Sequence, residues 1–161
     1  MKRLIVGFLF ILILITIPLY SVRAKSLNFS FFSYNGTKYE LSNFKGKYIV
    51  LNFFASYCPM CMLELNTLEK LSRSCDGKKL QVISLIIDKQ GWPLLPYIVK
   101  THHLTYIVGI APEGVFKLFP DFSILPTSFI ISPQGKLIKT ITGLLPEVKF
   151  KEILSKFVSC N

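Results

Sequence analysis

Hydrophobic positions fall along this chain in three patterns, and each predicts a different kind of element. The first is a block. Residues 4–22 are 19 consecutive uncharged residues, mostly Leu, Ile, Val and Phe, behind a Met1-Lys2-Arg3 start. A basic start, an apolar stretch and the Val22-Arg23-Ala24 triplet mark residues 1–24 as a signal peptide cut after Ala24, or as a retained membrane anchor. The run approaches the roughly 20 residues that span a bilayer, so both readings stand. Lys2 and Arg3 favour a cytoplasmic N-terminus in either case, which sends the remainder across the membrane.

The second pattern is the short apolar run bounded by polar residues. Residues 48–54 and 80–87 are such runs, rich in β-branched and aromatic side chains, and predict strands buried on both faces. Residues 28–41 read as two short strands around Asn35-Gly36, a hairpin turn signal. Further strands are expected at 105–109 and 127–131. The turn Pro133-Gln134-Gly135 then leads into a returning strand at 136–142. The third pattern is helical. Leu63, Leu68 and Leu71 recur at helix spacing, and Pro59 suits a helix start because its missing N–H would have no partner there. A helix is expected over 59–73, closed by Asp76-Gly77. Others are expected at 92–102, with Pro93 and Pro96 disturbing the first turn, at 112–119, and at 146–158. Strands separated by helices pair in parallel, while the Gln134-Gly135 turn adds an antiparallel pair. The fold class is therefore α/β: a central mixed sheet flanked by helices on both faces, with an N-terminal β-hairpin extension. Residues 25–161 form one domain.

Composition changes this picture little. Of the 161 residues 51% are hydrophobic, a figure inflated by the N-terminal block. The chain carries a net charge of +10, or +7 without Lys2, Arg3 and Arg23. Its lysines are dispersed, and no basic-aromatic stripe suggests a nucleic-acid partner. A solvated basic surface, or weak attraction to anionic lipid or an acidic partner, accounts for the charge.

The cysteines change it most. Cys58-Pro59-Met60-Cys61 is a CxxC pair placed just after a predicted strand and at the start of a predicted helix. Zinc would require further ligands; there is no second CxxC, and His102 and His103 lack ligand spacing. A helix start instead stabilises a thiolate, the attacking species in disulfide exchange. Cys58 is then the attacking residue and Cys61, one turn in, the resolving one.

The segment NGTKYELSNFKGKYIVLNFFASYCPMC, with LPTSFIISPQGKLIKTITG later, resembles the TlpA/ResA-like thiol–disulfide oxidoreductases of the thioredoxin superfamily. The resemblance spans roughly residues 28–157. It implies a thioredoxin-like fold and an exported, often membrane-tethered enzyme that exchanges disulfides with exported proteins. Such an enzyme would draw on a membrane thiol donor and contribute, for example, to cytochrome c maturation. It matches Pro126 to the family's cis-proline facing the active site, and Glu64 to an active-site glutamate. Glu64 lies three residues beyond Cys61 and shares its helix face. Asn52 stands where cytosolic thioredoxins carry a buried aspartate, which moves proton transfer toward Glu64 or water. The family's Trp before the first cysteine is Tyr57 here, and its Pro before the second is Met60. The intervening dipeptide tunes the potential. In this topology the first and last helices run down one sheet face, which makes Cys75 and Cys160 candidates for a second, structural disulfide.

Other readings are a DsbA-like thiol oxidase and a Cu(I) carrier using Cys58, Met60, Cys61 and Met62, since soft sulfur ligands suit Cu(I). A peroxiredoxin is a third, but Leu51 and Ala55 occupy two positions of its usual motif. Nothing in the sequence calls for a cofactor.

Overall fold

The computed structural model describes residues 26–75, 77–119 and 121–160. The signal or anchor segment expected at 1–24 and Asp76 of the expected helix end lie outside the described residues. Seven strands form one sheet: β1 (Ser30–Ser33), β2 (Lys38–Glu40), β3 (Tyr48–Phe54), β4 (Leu80–Ile86), β5 (Ile107–Ile110), β6 (Thr127–Ile131) and β7 (Leu137–Thr142). Their order is β2-β1-β5-β4-β3-β6-β7. β3, β4 and β5 run parallel, and every other pair is antiparallel. β1 and β2 are the expected hairpin, turning at Gly36 with φ 84°. At Gly109 a Cβ would run into the Phe32 carbonyl oxygen, so only glycine lets β1 close on β5.

Alternation along β3 separates two cores. Val50 and Phe54 face one, while Ile49, Leu51 and Phe53 face the other. Three α-helices cover the first face: α1 (Pro59–Ser74), α2 (Leu95–Thr101) and α3 (Glu147–Leu154). The second face, also expected to carry helices, has no α-helix among the described residues. It is closed by 3-10 turns at Leu41–Phe44 and Val115–Leu118 and by aromatic rings. Phe53 is the hub there, with Phe116, Phe119, Phe122 and Phe129 edge-on at 5.3–5.9 Å. The helix expected at 112–119 is therefore a single 3-10 turn.

α1 buries Cys61, Glu64, Leu65, Leu68, Glu69 and Leu71. Leu63, expected on that stripe, points outward and is 53% exposed. The expected final helix over 146–158 stops at Leu154. Residues beyond it turn so that Cys160 bridges back to Cys75, the C-cap of α1. Cys75 and Cys160 form a disulfide with Cα atoms 4.0 Å apart. Its partners are 85 residues apart in sequence, and closing so long a loop in the unfolded chain is worth about 4–5 kcal/mol in the chain-entropy limit. Cys160→Ser paired with Cys75→Ser should lower unfolding free energy by ~2–5 kcal/mol in denaturant titrations. An unchanged midpoint would deny the bridge a stabilising part.

Candidate active site

β3 ends at Phe54, and four residues, 55–58, link it to α1. Asp88, just past β4, fixes this link. Its carboxylate accepts from the Ser56 amide at 2.8 Å and the Ser56 hydroxyl at 2.6 Å. Cys58 is the N-cap of α1, with Pro59 in the first turn. The Cys61 amide donates to Cys58 Sγ at 3.2 Å and to the Cys58 carbonyl at 3.1 Å. A first-turn amide of the helix is thus shared with the outer sulfur, where it would stabilise a thiolate. Cys58 and Cys61 are joined as a disulfide with Cα atoms 5.2 Å apart. Cys58 is partly exposed and Cys61 fully buried, so an incoming thiolate can reach only the first sulfur.

Tyr57 and Met60, the two departures from the resembled family, are 73% and 48% exposed beside Cys58. Met62 instead packs against the core. The two thioethers thus occupy opposite environments, a poor start for joint metal ligation. Leu125-Pro126 is a cis peptide. Register pairs Thr127 with Phe53, which sets the buried Pro126 level with the end of β3, where the chain departs for Cys58.

Glu64 is fully buried under α1. Ser128 Oγ donates to its Oε1 at 2.7 Å and Asn52 Nδ2 to the same oxygen at 3.2 Å; the Leu145 amide reaches Oε2 at 3.4 Å. Burial raises the Glu64 pKa to about 7, against the lowering pull of the Ser128 and Leu145 hydrogen bonds. A carboxyl so placed can take up or release a proton near neutrality. The floor beneath it is a polar row across three strands, since Ser84 and Ser128 flank Asn52 in register. Ser84 Oγ lies 3.1 Å from the Tyr106 hydroxyl, and burial holds that phenol protonated. Asn52 Oδ1 is buried without a partner.

Asp88, Ser84, Tyr106 and Ser128 were not singled out from sequence. The signal was present for the two serines: each is a small polar residue directly followed by an apolar run, in LQVISLI and TSFII. Only register, however, shows that they align with Asn52.

A partly exposed sulfur capping a helix and bonded to a buried one, just past the end of a central strand of a mixed sheet, defines a thioredoxin-fold thiol–disulfide oxidoreductase. Comparison with known proteins agrees. Residues 22–154 match the family described as Redoxin. Thiol-disulfide oxidoreductase ResA of Bacillus thuringiensis is 32% identical over 130 residues, covering 80% of this chain and 74% of that one. ResA of Bacillus subtilis is 27% identical over 120 residues, covering 74% and 66% respectively. In structure, a thiol:disulfide interchange protein from Chlorobium tepidum superimposes with a TM-score of 0.73 at 23% identity, over 84% of this chain and 98% of that one. The chain belongs to the redoxin family, among its ResA-like thiol–disulfide oxidoreductases.

The raised carboxyl gives a pH signature. The folded state holds the Glu64 proton more tightly than the unfolded chain, whose value is 4.5. Stability is therefore lost as pH climbs from about 4.5 to about 7. Glu64→Gln removes that loss. In urea titrations the variant should gain on the parent by up to about 3 kcal/mol between pH 4 and pH 8. A pH-independent difference would contradict a raised Glu64.

Proposed function

We propose that this chain works outside the cytoplasm as a reductase of protein disulfides through Cys58-Pro59-Met60-Cys61. The observation that carries the reading is the unequal exposure of the two sulfurs on one helix turn. The reduced enzyme attacks a substrate disulfide with the Cys58 thiolate, forming a mixed disulfide and releasing one substrate thiolate. Cys61 then loses its proton and attacks Cys58 Sγ, which releases the second substrate thiolate and closes the Cys58–Cys61 bond. Two electrons pass to the substrate. Glu64, one turn below Cys61, is the group suited to accept the Cys61 proton. Pro126, at the level of the active-site link, guides the substrate backbone.

Location rests on two supports. The apolar run at 4–22 follows a basic start, and the Cys75–Cys160 disulfide persists best in an oxidising compartment. There the oxidised enzyme needs a thiol donor from the membrane to restart the cycle. Exported proteins such as apocytochrome c are the substrates this reading favours.

Cys58→Ser should abolish turnover of a small disulfide substrate, whereas Cys61→Ser should accumulate a mixed disulfide at Cys58 visible by mass. Turnover unaffected by Cys58→Ser would overturn the reading. Equilibration with glutathione should place the Cys58/Cys61 couple nearer the thioredoxin value of about −270 mV than the DsbA value of about −120 mV. A value at the DsbA end would make the chain an oxidase.

A further inference from the structure

The end of the sheet remote from Cys58 gathers cations. Lys45 and Lys47 precede β3, Lys79 precedes β4, and Lys136 precedes β7. Backbone bonds stitch these segments together: Gly46 to the Pro133 carbonyl at 3.0 Å, and Tyr48 to the Lys79 carbonyl at 2.8 Å. The Lys47 ammonium reaches the Gly77 carbonyl at 2.8 Å. Lys156 joins them, since its neighbour Phe157 stacks on Tyr48 at 5.2 Å. Lys45, Lys79, Lys136 and Lys156 are exposed. Within 45–47, 77–79 and 132–136 there is no acidic residue; Asp76, adjacent in sequence, lies outside the described residues. Four acids stand at the opposite end: Asp88 after β4, Glu113 after β5, Asp121 before β6 and Glu147 at the start of α3. Glu152 is the exception, close enough to Lys156 to feel its charge.

The chain enters the domain at this same basic end. The Leu27 amide donates to the Gly135 carbonyl at 2.8 Å, and Ser26 lies against Gly135. Three residues, 23–25, separate Ser26 from the apolar run 4–22. Fully extended, they reach roughly 10–14 Å. If residues 4–22 lie in a bilayer, the domain has no length of tether with which to turn over. The basic end is then the end that meets the membrane surface.

We propose that this basic pole docks on the anionic headgroups of a bilayer and holds the Cys58–Cys61 end away from it. The proposal rests on the extracytoplasmic reading above and, of the two readings of residues 1–24, on the retained anchor. Seven residues of β3 separate the poles, about 20 Å at strand spacing. With screening over about 8–10 Å, the attraction holds the pole without reaching the redox centre.

The test uses the full chain with vesicles of phosphatidylcholine alone or enriched in phosphatidylglycerol, read by flotation and by mass spectrometry of amine labelling. Flotation on neutral vesicles reports the anchor. The difference between vesicle types reports the pole. In the anionic vesicles Lys45, Lys79 and Lys136 should lose labelling several-fold while Lys89 and Lys117 do not. Protection should vanish at ~1 M salt, where screening falls to about 3 Å. Each Lys→Gln change at 45, 79 or 136 should weaken the lipid-dependent protection by about fivefold, with turnover of a small disulfide unchanged. If the chain fails to float on neutral vesicles, the anchor reading fails and the proposal with it. If it floats but labels equally in both vesicle types, the anchor reading survives, the pole proposal is overturned, and an acidic protein becomes the occupant to seek.

Discussion

Helix α1 lies on the sheet with one stripe inward, and the chemistry of the site follows from that single docking. Cys61, Glu64, Leu65, Leu68 and Leu71 share the stripe, so the apolar burial that fixes the helix also buries one redox sulfur and one carboxyl. The helix cannot be secured without desolvating both. Cys58, at the N-cap, escapes the stripe and remains accessible. In the proposed cycle, position alone gives two chemically identical thiols different tasks. The amide donated to Cys58 Sγ adds an electrostatic bias in the same direction.

The same docking explains the polar floor. A carboxyl held over an apolar sheet would have no partners and would cost several kcal/mol. Asn52 and Ser128 supply them, and the sheet accepts these polar residues because Glu64 covers them. Satisfaction is incomplete, since Asn52 Oδ1 has no partner. The balance leaves Glu64 near neutrality and not in the ordinary carboxylate range. At the far end of α1, Glu69 accepts from the Thr105 amide at 2.7 Å and hydroxyl at 2.8 Å. The Cys75–Cys160 bridge then ties the helix end to the C-terminal tail. Both ends of α1 are therefore held, which keeps the Cys58 turn in place.

How much of this was legible in the sequence depended on how local its cause is. β3 and β6 match their expected spans because turn-forming or charged residues bound each run, Gly46-Lys47 before β3 and Ser132-Pro133 after β6. α1 begins where Pro59 says it should. Leu63 misled because helix spacing fits more than one stripe, and only contact with the sheet selects among them. The last helix ends short of its apolar pattern because the chain beyond it turns to Cys75, a partner 85 residues away. Residues 112–119 form one 3-10 turn because Phe116 and Phe119 are drawn onto Phe53. At the site, Cys58 and Cys61 were evident from motif and placement. Glu64 and Pro126 came from resemblance, and spacing alone could not show that Glu64 is buried. Asp88, Ser84, Tyr106 and Ser128 depend on cross-strand alignment and on a loop contact, which no local pattern carries.

Docking of α1 is what divides the labour between the two sulfurs in the proposed cycle. Alkylation of the reduced protein over a pH series, with the modified residue identified by mass, tests it most directly. The account predicts modification at Cys58 alone, with an apparent pKa below the ~8.5 of a free thiol, and Cys61 unmodified until the fold is denatured. Equal modification of both cysteines, or earlier modification of Cys61, would contradict it.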